Sequence, residues 1–187
     1  MISKLFLHIY TLTIPGLMSI CIFCLICFLL LAHYCRAQWW WKPALGSLLL
    51  LWVGIVSYVT ILSRTSTLES SLALIPFHSY RDVLAGGNPE LIRSNLMNAA
   101  LFYPAGLLCA GLSQGHFRVG MCCTVALLAL FSLSIELSQY LWQLGNAEID
   151  DVLHNTLGAA AGFAAFHLKW INRPPKKNEC AKKEYQP

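Results

Sequence analysis

Five stretches of this chain are each about as long as the roughly 20 apolar residues needed to cross a bilayer, and Glu136 and Lys169 are the charged residues within them. They run from about Thr11 to Ala32, Pro43 to Leu62, Asn95 to Leu112, Val119 to Trp142, and Val152 to Trp170. In lipid, a single segment satisfies all its backbone N–H and C=O groups only as a helix. The expected fold is therefore all-α, a polytopic membrane helical bundle of about five transmembrane helices. Composition points the same way. Only 12% of the residues are charged, about half of what a soluble domain uses to face water.

The first apolar run exceeds the h-region of about 7–15 residues found in secretory signals. It is followed by Ala32-His33-Tyr34-Cys35 and not by a small-residue cleavage site, so it is expected to remain as a helix. Trp39, Trp40 and Trp41 beside Lys42 fit an aromatic belt at a membrane interface. Residues 1–171 are read as the bundle and 172–187 as a basic tail without apolar periodicity, expected to be disordered. Most of the 13 Lys and Arg fall in the Arg36/Lys42 loop, the Arg118 turn and the tail. With five spans these segments share one side, which the positive-inside rule assigns to the cytoplasm. The N-terminus is then outside and the C-terminus inside. Because the basic residues concentrate in the tail, they do not describe a nucleic-acid surface. Cys21, Cys24 and Cys27 lie among Ile, Phe and Leu and are read as small hydrophobes rather than metal ligands.

The informative residues are the polar ones that interrupt apolar runs. A charge in mid-span costs about 2.5–3.5 kcal/mol on insertion scales, so Glu136 needs neighbours. Ser132, Glu136, Gln139 and Gln143 recur at spacings of four, three and four, forming one helical stripe. The following loop brings Glu148, Asp150 and Asp151 within four residues. One of the two aspartates is expected to cap the N-terminus of the fifth helix. On that helix Asp151, Asn155, Gly158 and Gly162 repeat the four-three-four spacing, and the two glycines form a small-xxx-small pair that admits a close helix neighbour. His154, three residues after Asp151, is expected to form a surface pair with it. The third span opens with Asn95 and Asn98 and carries Pro104, a residue that removes an amide donor and bends a helix.

Between the second and third spans, the polar stretch from Ser63 to Ser94 contains the apolar island Leu72 to Phe77. It is too short to span, and is expected at the interface or tucked into the bundle. In the five-span topology Asn98, Glu136, Gln139, Glu148, Asp150, Asp151 and Asn155 all fall toward the outer side with the Ile75-Pro76-Phe77 element. These seven residues are the candidate ligand-binding set. Glu136, Gln139 and Asp151 are the catalytic candidates if a reaction occurs, with Glu136 as a base. The three loop carboxylates have the hard oxygen ligands that suit a divalent cation, but the pattern calls for neither a resident metal nor a cofactor.

The order of these motifs resembles the VanZ-like family of small bacterial integral membrane proteins. The resemblance runs from Leu72 to Phe166 and rests on Ile75-Pro76-Phe77, Asn98 with Phe102-Tyr103-Pro104-Ala105-Gly106, Glu136-x-x-Gln139, and Asp151-x-x-x-Asn155-Thr156-Leu157-Gly158-x-x-x-Gly162. It implies a role at the cell envelope, since founding members lower susceptibility to teicoplanin-type glycopeptide antibiotics. The partners it implies are membrane lipids, a lipid-linked cell-wall precursor or the glycopeptide itself, with oligomerisation through the glycine face open. Two departures stand out. Family members usually carry an arginine near the position of Gly145 or Asn146, where this chain has none, and Glu148 stands where aspartate is common. If that arginine pairs with the carboxylates, either this site is more negative than its relatives or Arg81 or Arg93 substitutes for it. A membrane enzyme acting on a lipid-linked substrate, and a scaffold or transport subunit, are the competing functions.

Overall fold

The computed structural model describes residues 39–66, 70–113 and 117–171. The first apolar run, with Cys21, Cys24 and Cys27, and the basic tail lie outside them. The chain divides into two units at Ala44 and Leu45. The helices of the bundle belong to the second unit, apart from the opening turn of the helix that begins at Trp41.

The apolar run after the tryptophans forms α1 (Trp41–Ser57), which passes into a π-helical turn at Tyr58–Leu62. A two-residue strand, β1 (Leu72–Ala73), and a short helix, α2 (His78–Leu84), follow in the polar stretch. The long helices α3 (Glu90–Leu112) and α4 (Phe117–Leu141) come next, then β2 (Ala147–Glu148) and α5 (Ile149–Ile171). The fold is an all-α membrane helical bundle. Its strands are a single parallel bridge, Leu72 opposite Ala147 and Ala73 opposite Glu148.

Among the described residues, α1 with its π turn, α3 and α4 are long and apolar enough to cross a membrane. The fifth run, α5, falls outside that set. Asp150, Asp151, His154 and Asn155 crowd one end and His167 and Lys169 the other, leaving a shorter apolar middle than the run from Val152 to Trp170 suggested. That middle is sheltered by protein, with Ala159, Phe163 and Phe166 buried. By contrast, Leu50 and Leu51 on α1 and Leu127, Leu130 and Leu137 on α4 are exposed, as leucines facing hydrocarbon would be.

The largest helix interface is that of α3 with α5, and small residues build it. A Cβ at Gly158 would lie 2.0 Å from the carbonyl oxygen of Ala99, one at Gly162 2.0 Å from that of Tyr103, and one at Gly106 1.9 Å from that of Ala159. The two backbones are in direct contact, as the Gly158/Gly162 pair predicted. Pro104 is buried within α3, and the helix continues through it. One turn away, the Trp52 indole N–H of α1 donates to the Leu101 carbonyl at 3.0 Å. Val56, Phe102, Ala105, Leu128, Ile135 and Ala159 complete the core.

Overpacking a tight interface costs about 1–3 kcal/mol. Gly162→Ala is therefore expected to lower the thermal stability of the detergent-solubilised protein. Gly46→Ala on α1, where an added Cβ meets nothing within 4 Å among the described residues, should leave it unchanged. Equal melting curves for the two variants would refute a backbone-to-backbone interface.

Candidate functional site

The polar residues singled out in the sequence gather at one end of the bundle, where they form several pairings and not a single pocket. The stripe on α4 reaches three different elements. Glu136, 6% exposed, accepts a hydrogen bond on Oε2 from the Glu148 amide at 3.0 Å. Buried Gln139 donates from Nε2 to the carbonyl of Thr60 at 3.0 Å. That carbonyl lies in the terminal turn of α1, where the last C=O groups of a helix lack intrahelical donors. Ser132 accepts from the Asn155 amide at 2.8 Å.

The three loop carboxylates point to different surroundings. Asp150, 1% exposed, accepts the Phe77 amide on one oxygen, and on the other the Ser79 amide at 2.9 Å and the Ser79 hydroxyl at 2.8 Å. The expected cap of α5 is thus redirected. Both aspartates sit inside the first turn of α5, and Asp150 satisfies amides at the start of α2 instead. Asp151 lies beside Asn98 of α3, whose amide nitrogen makes no hydrogen bond among the described residues. Half-buried Glu148 belongs to β2 and borders a cavity. Among the described residues no group of three or more His, Cys, Asp or Glu is placed to hold a metal ion.

The polar stretch thereby becomes a cover folded over this end of the bundle. Ala147 donates to the Ser71 carbonyl at 3.0 Å, and Ser71 donates to the Asn146 side chain at 3.2 Å. Phe77 adopts the left-handed region at φ 61°, a costly conformation for a bulky residue, with its amide held by Asp150. His154 does not pair with Asp151 at the surface. It is buried, with Nδ1 facing the Asp150 backbone carbonyl and Nε2 at 2.7 Å from the Tyr80 hydroxyl. A carbonyl can only accept, so Nδ1 carries the proton and Nε2 accepts from Tyr80 in the neutral ring.

The cation at the site is neither Arg81 nor Arg93. Arg93 pairs with Glu90 at 3.0 Å on the surface of α3. Arg64, just past α1, supplies the charge felt by Glu136 and Asp151. Its guanidinium Nη1 would stand 2.9 Å from a Cβ at Gly145, a residue at φ 147°, so glycine there gives the guanidinium room. Sequence reasoning missed Arg64, although a lone arginine directly after an apolar run signals a chain leaving the membrane. It also missed Ser79 and Tyr80, whose partners lie more than 70 residues away. Asn95, 2% exposed, is part of the same interior, and its amide nitrogen finds no hydrogen-bond partner among the described residues.

Between β1, α4 and the start of α5 lies a cavity of about 210 Å³, walled by Leu72, Leu74, Leu133, Leu137, Tyr140 and Val152, with Glu136 and Glu148 as its carboxylates. Burial pushes the Glu148 carboxyl up, and the Asp150 charge adds to that, against an opposing effect of His78. Burial acts on Asp150 in the same upward sense, but the donors from Ser79 and Phe77 outweigh it and hold that carboxyl below its ordinary value.

A helical membrane bundle with a covered polar end is the class of protein that this geometry defines. The VanZ/LLP1 family profile matches residues 45–170, and the chain belongs to that family. It is 30% identical over 135 residues to Protein VanZ of Enterococcus faecium, an alignment spanning 72% of this chain and 76% of that one. No solved structure matches it.

Because Asp150 is lowered on folding, its contribution is complete above its ordinary value of 3.8 and is lost as pH falls through the folded value. Asp150→Asn keeps the shape but removes charge-assisted hydrogen bonds worth about 1.5–3 kcal/mol. Amide exchange at Phe77 and Ser79 should then be about one to two orders of magnitude faster at neutral pH. Unchanged exchange would show that the cover is held by something else.

Proposed function

We propose that this chain acts in the cell membrane as a multi-pass envelope protein that lowers susceptibility to teicoplanin-type glycopeptides, working at the outer face. The observation that carries the reading is the buried carboxylate of Glu136 beneath the cover, joined to Glu148 and facing an apolar cavity. In a chain similar to Protein VanZ of Enterococcus faecium, that is the feature best suited to meeting an amphiphilic envelope ligand. The distribution of Lys and Arg supports a site on the outer side and a C-terminal tail in the cytoplasm. The partners are membrane lipids and either a lipid-linked cell-wall precursor or the glycopeptide itself.

A second reading, a membrane-embedded enzyme acting on a lipid-linked substrate, draws on the same residue. Among the described residues the buried Glu136 carboxyl takes a hydrogen bond on Oε2, and a buried carboxyl with its second oxygen open to a substrate proton is what a general base requires. The division of Glu148, Asp150 and Asp151 among separate partners favours the first reading, because it removes the shared carboxylate centre that metal-assisted chemistry would use.

Expression in a susceptible Gram-positive host is expected to raise the teicoplanin concentration needed to stop growth, relative to empty vector. Glu136→Ala at an equal membrane level should return it to the vector value. Protection retained by Glu136→Ala would remove the site from the explanation. No protection from either protein would remove the envelope-defence reading.

A further inference from the structure

The apolar island of the cover turns its side chains outward. Leu72, Leu74, Ile75 and Phe77 are each more than half exposed, and no charged residue lies between Ser70 and Phe77. A contiguous exposed apolar patch marks contact with something other than water. At Phe77 the exposure is built into the backbone. Its amide is held inward by Asp150 and its backbone is left-handed, while its ring stays 57% exposed.

The segment lies beside a stretch of α4 at membrane depth. Leu72 and Leu74 wall the cavity together with Leu133, Leu137 and Tyr140 of α4. The 25 residues of α4 make a helix of about 37 Å at 1.5 Å per residue, about 7 Å longer than a hydrocarbon core of about 30 Å. Leu133 precedes the end of α4 by eight residues, or about 12 Å. Even with all of the excess on this side, Leu133 stands about 5 Å inside the hydrocarbon.

Irregular backbone reaches that depth only where protein satisfies its polar groups, and this segment meets the condition along its length. Ser71 donates to the Asn146 side chain at 3.2 Å and accepts from the Ala147 amide at 3.0 Å. Leu72 and Ala73 are bridged to β2. Pro76 has no amide hydrogen to satisfy. The amides of Phe77 and Ser79 go to Asp150, and that of His78 donates to the Ile75 carbonyl at 3.3 Å. Apolar side chains face out and backbone polar groups face in, which is the arrangement lipid requires and water does not.

We infer that Leu74, Ile75 and Phe77 dip into the lipid leaflet on the site's side, so that the partner of the cover is the boundary between headgroups and acyl chains. Arg81, exposed on α2, stays among the headgroups. The inference goes beyond the function proposed above and holds whichever ligand the site takes.

The test uses the full chain in liposomes, with a fluorescent amino acid placed by amber suppression at Ile75 or at Arg81. Both positions are exposed, so added bulk is tolerated. At Ile75 a nitroxide high on the lipid acyl chain should quench the emission more than one at the chain end, and aqueous iodide should lose most of its effect. At Arg81 iodide should quench and the acyl nitroxides should not. A second measurement leaves the protein unaltered. Phosphatidylcholine carrying a diazirine near the glycerol end of its acyl chain should, on illumination, label residues 74–77 and spare Arg81 and Asp82.

Iodide quenching at Ile75 equal to that at Arg81 would leave the segment in water and overturn the inference. Quenching by neither agent, with residues 74–77 unlabelled, would overturn it too, by placing protein over the segment. Should a fluorescent variant fail to fold, the carbene labelling decides alone.

Discussion

The contact on which the rest of this molecule depends is the meeting of two backbones, α3 and α5, at Gly106, Gly158 and Gly162. In water, helices associate because their apolar faces leave solvent. In a bilayer that drive is missing, since lipid is as apolar as leucine, and association rests on close packing and interhelical hydrogen bonds. Hydrogen in place of a methyl group at Gly158 and Gly162 lets the helices touch the carbonyls of Ala99 and Tyr103. Within a turn of that contact Asn98 comes beside Asp151, and on the adjoining face Asn155 donates to Ser132. Helices held a side chain further apart would leave these groups facing lipid, at a cost of several kcal/mol for each unsatisfied polar group.

A second constraint comes from burying charge. Asp150 is nearly inaccessible and takes three donors from Phe77 and Ser79, so the polar segment before α3 is part of the folded bundle. The strained backbone at Phe77 belongs with this. A left-handed phenylalanine persists where surrounding structure holds it, and the Asp150 clamp is that structure. Tyr80 adds a second attachment through His154. The cover is therefore tied to α5 from two sides, above a cavity that it helps to wall with Leu72 and Leu74.

Much of this architecture was legible in the chain itself, because it is local. Apolar runs gave α1, α3 and α4, and the spacing of Gly158 and Gly162 gave a helix contact, though not its partner. The polar stripes showed that Glu136 and Asn155 point inward. Periodicity cannot encode the identity of a partner remote in sequence. The cap expected of Asp150 on its own helix was the local solution, and the structure chose amides from the cover. Arg64 was overlooked for the same reason: its relation to Gly145 exists only once α1 ends beside the α4–α5 loop. His154 looked like a surface neighbour of Asp151 because three residues on a helix is close, yet the residue faces Tyr80. Even α5 is shorter in apolar content than its run implied, since a helix enclosed by protein can carry polar ends.

The pairing of Glu136 with the Glu148 amide, and of Ser132 with Asn155, has a consequence for biosynthesis. Both donors are encoded after the stripe they satisfy, so α4 leaves the ribosome with its polar face incomplete. Asn155 follows Ser132 by 23 residues, a delay of about 1–5 s at translation rates of roughly 5–20 residues per second. During that interval α4 must remain beside the insertion machinery or shelter its carboxyl group in water. The polar face of α4 is complete once β2 and α5 have both supplied their donors.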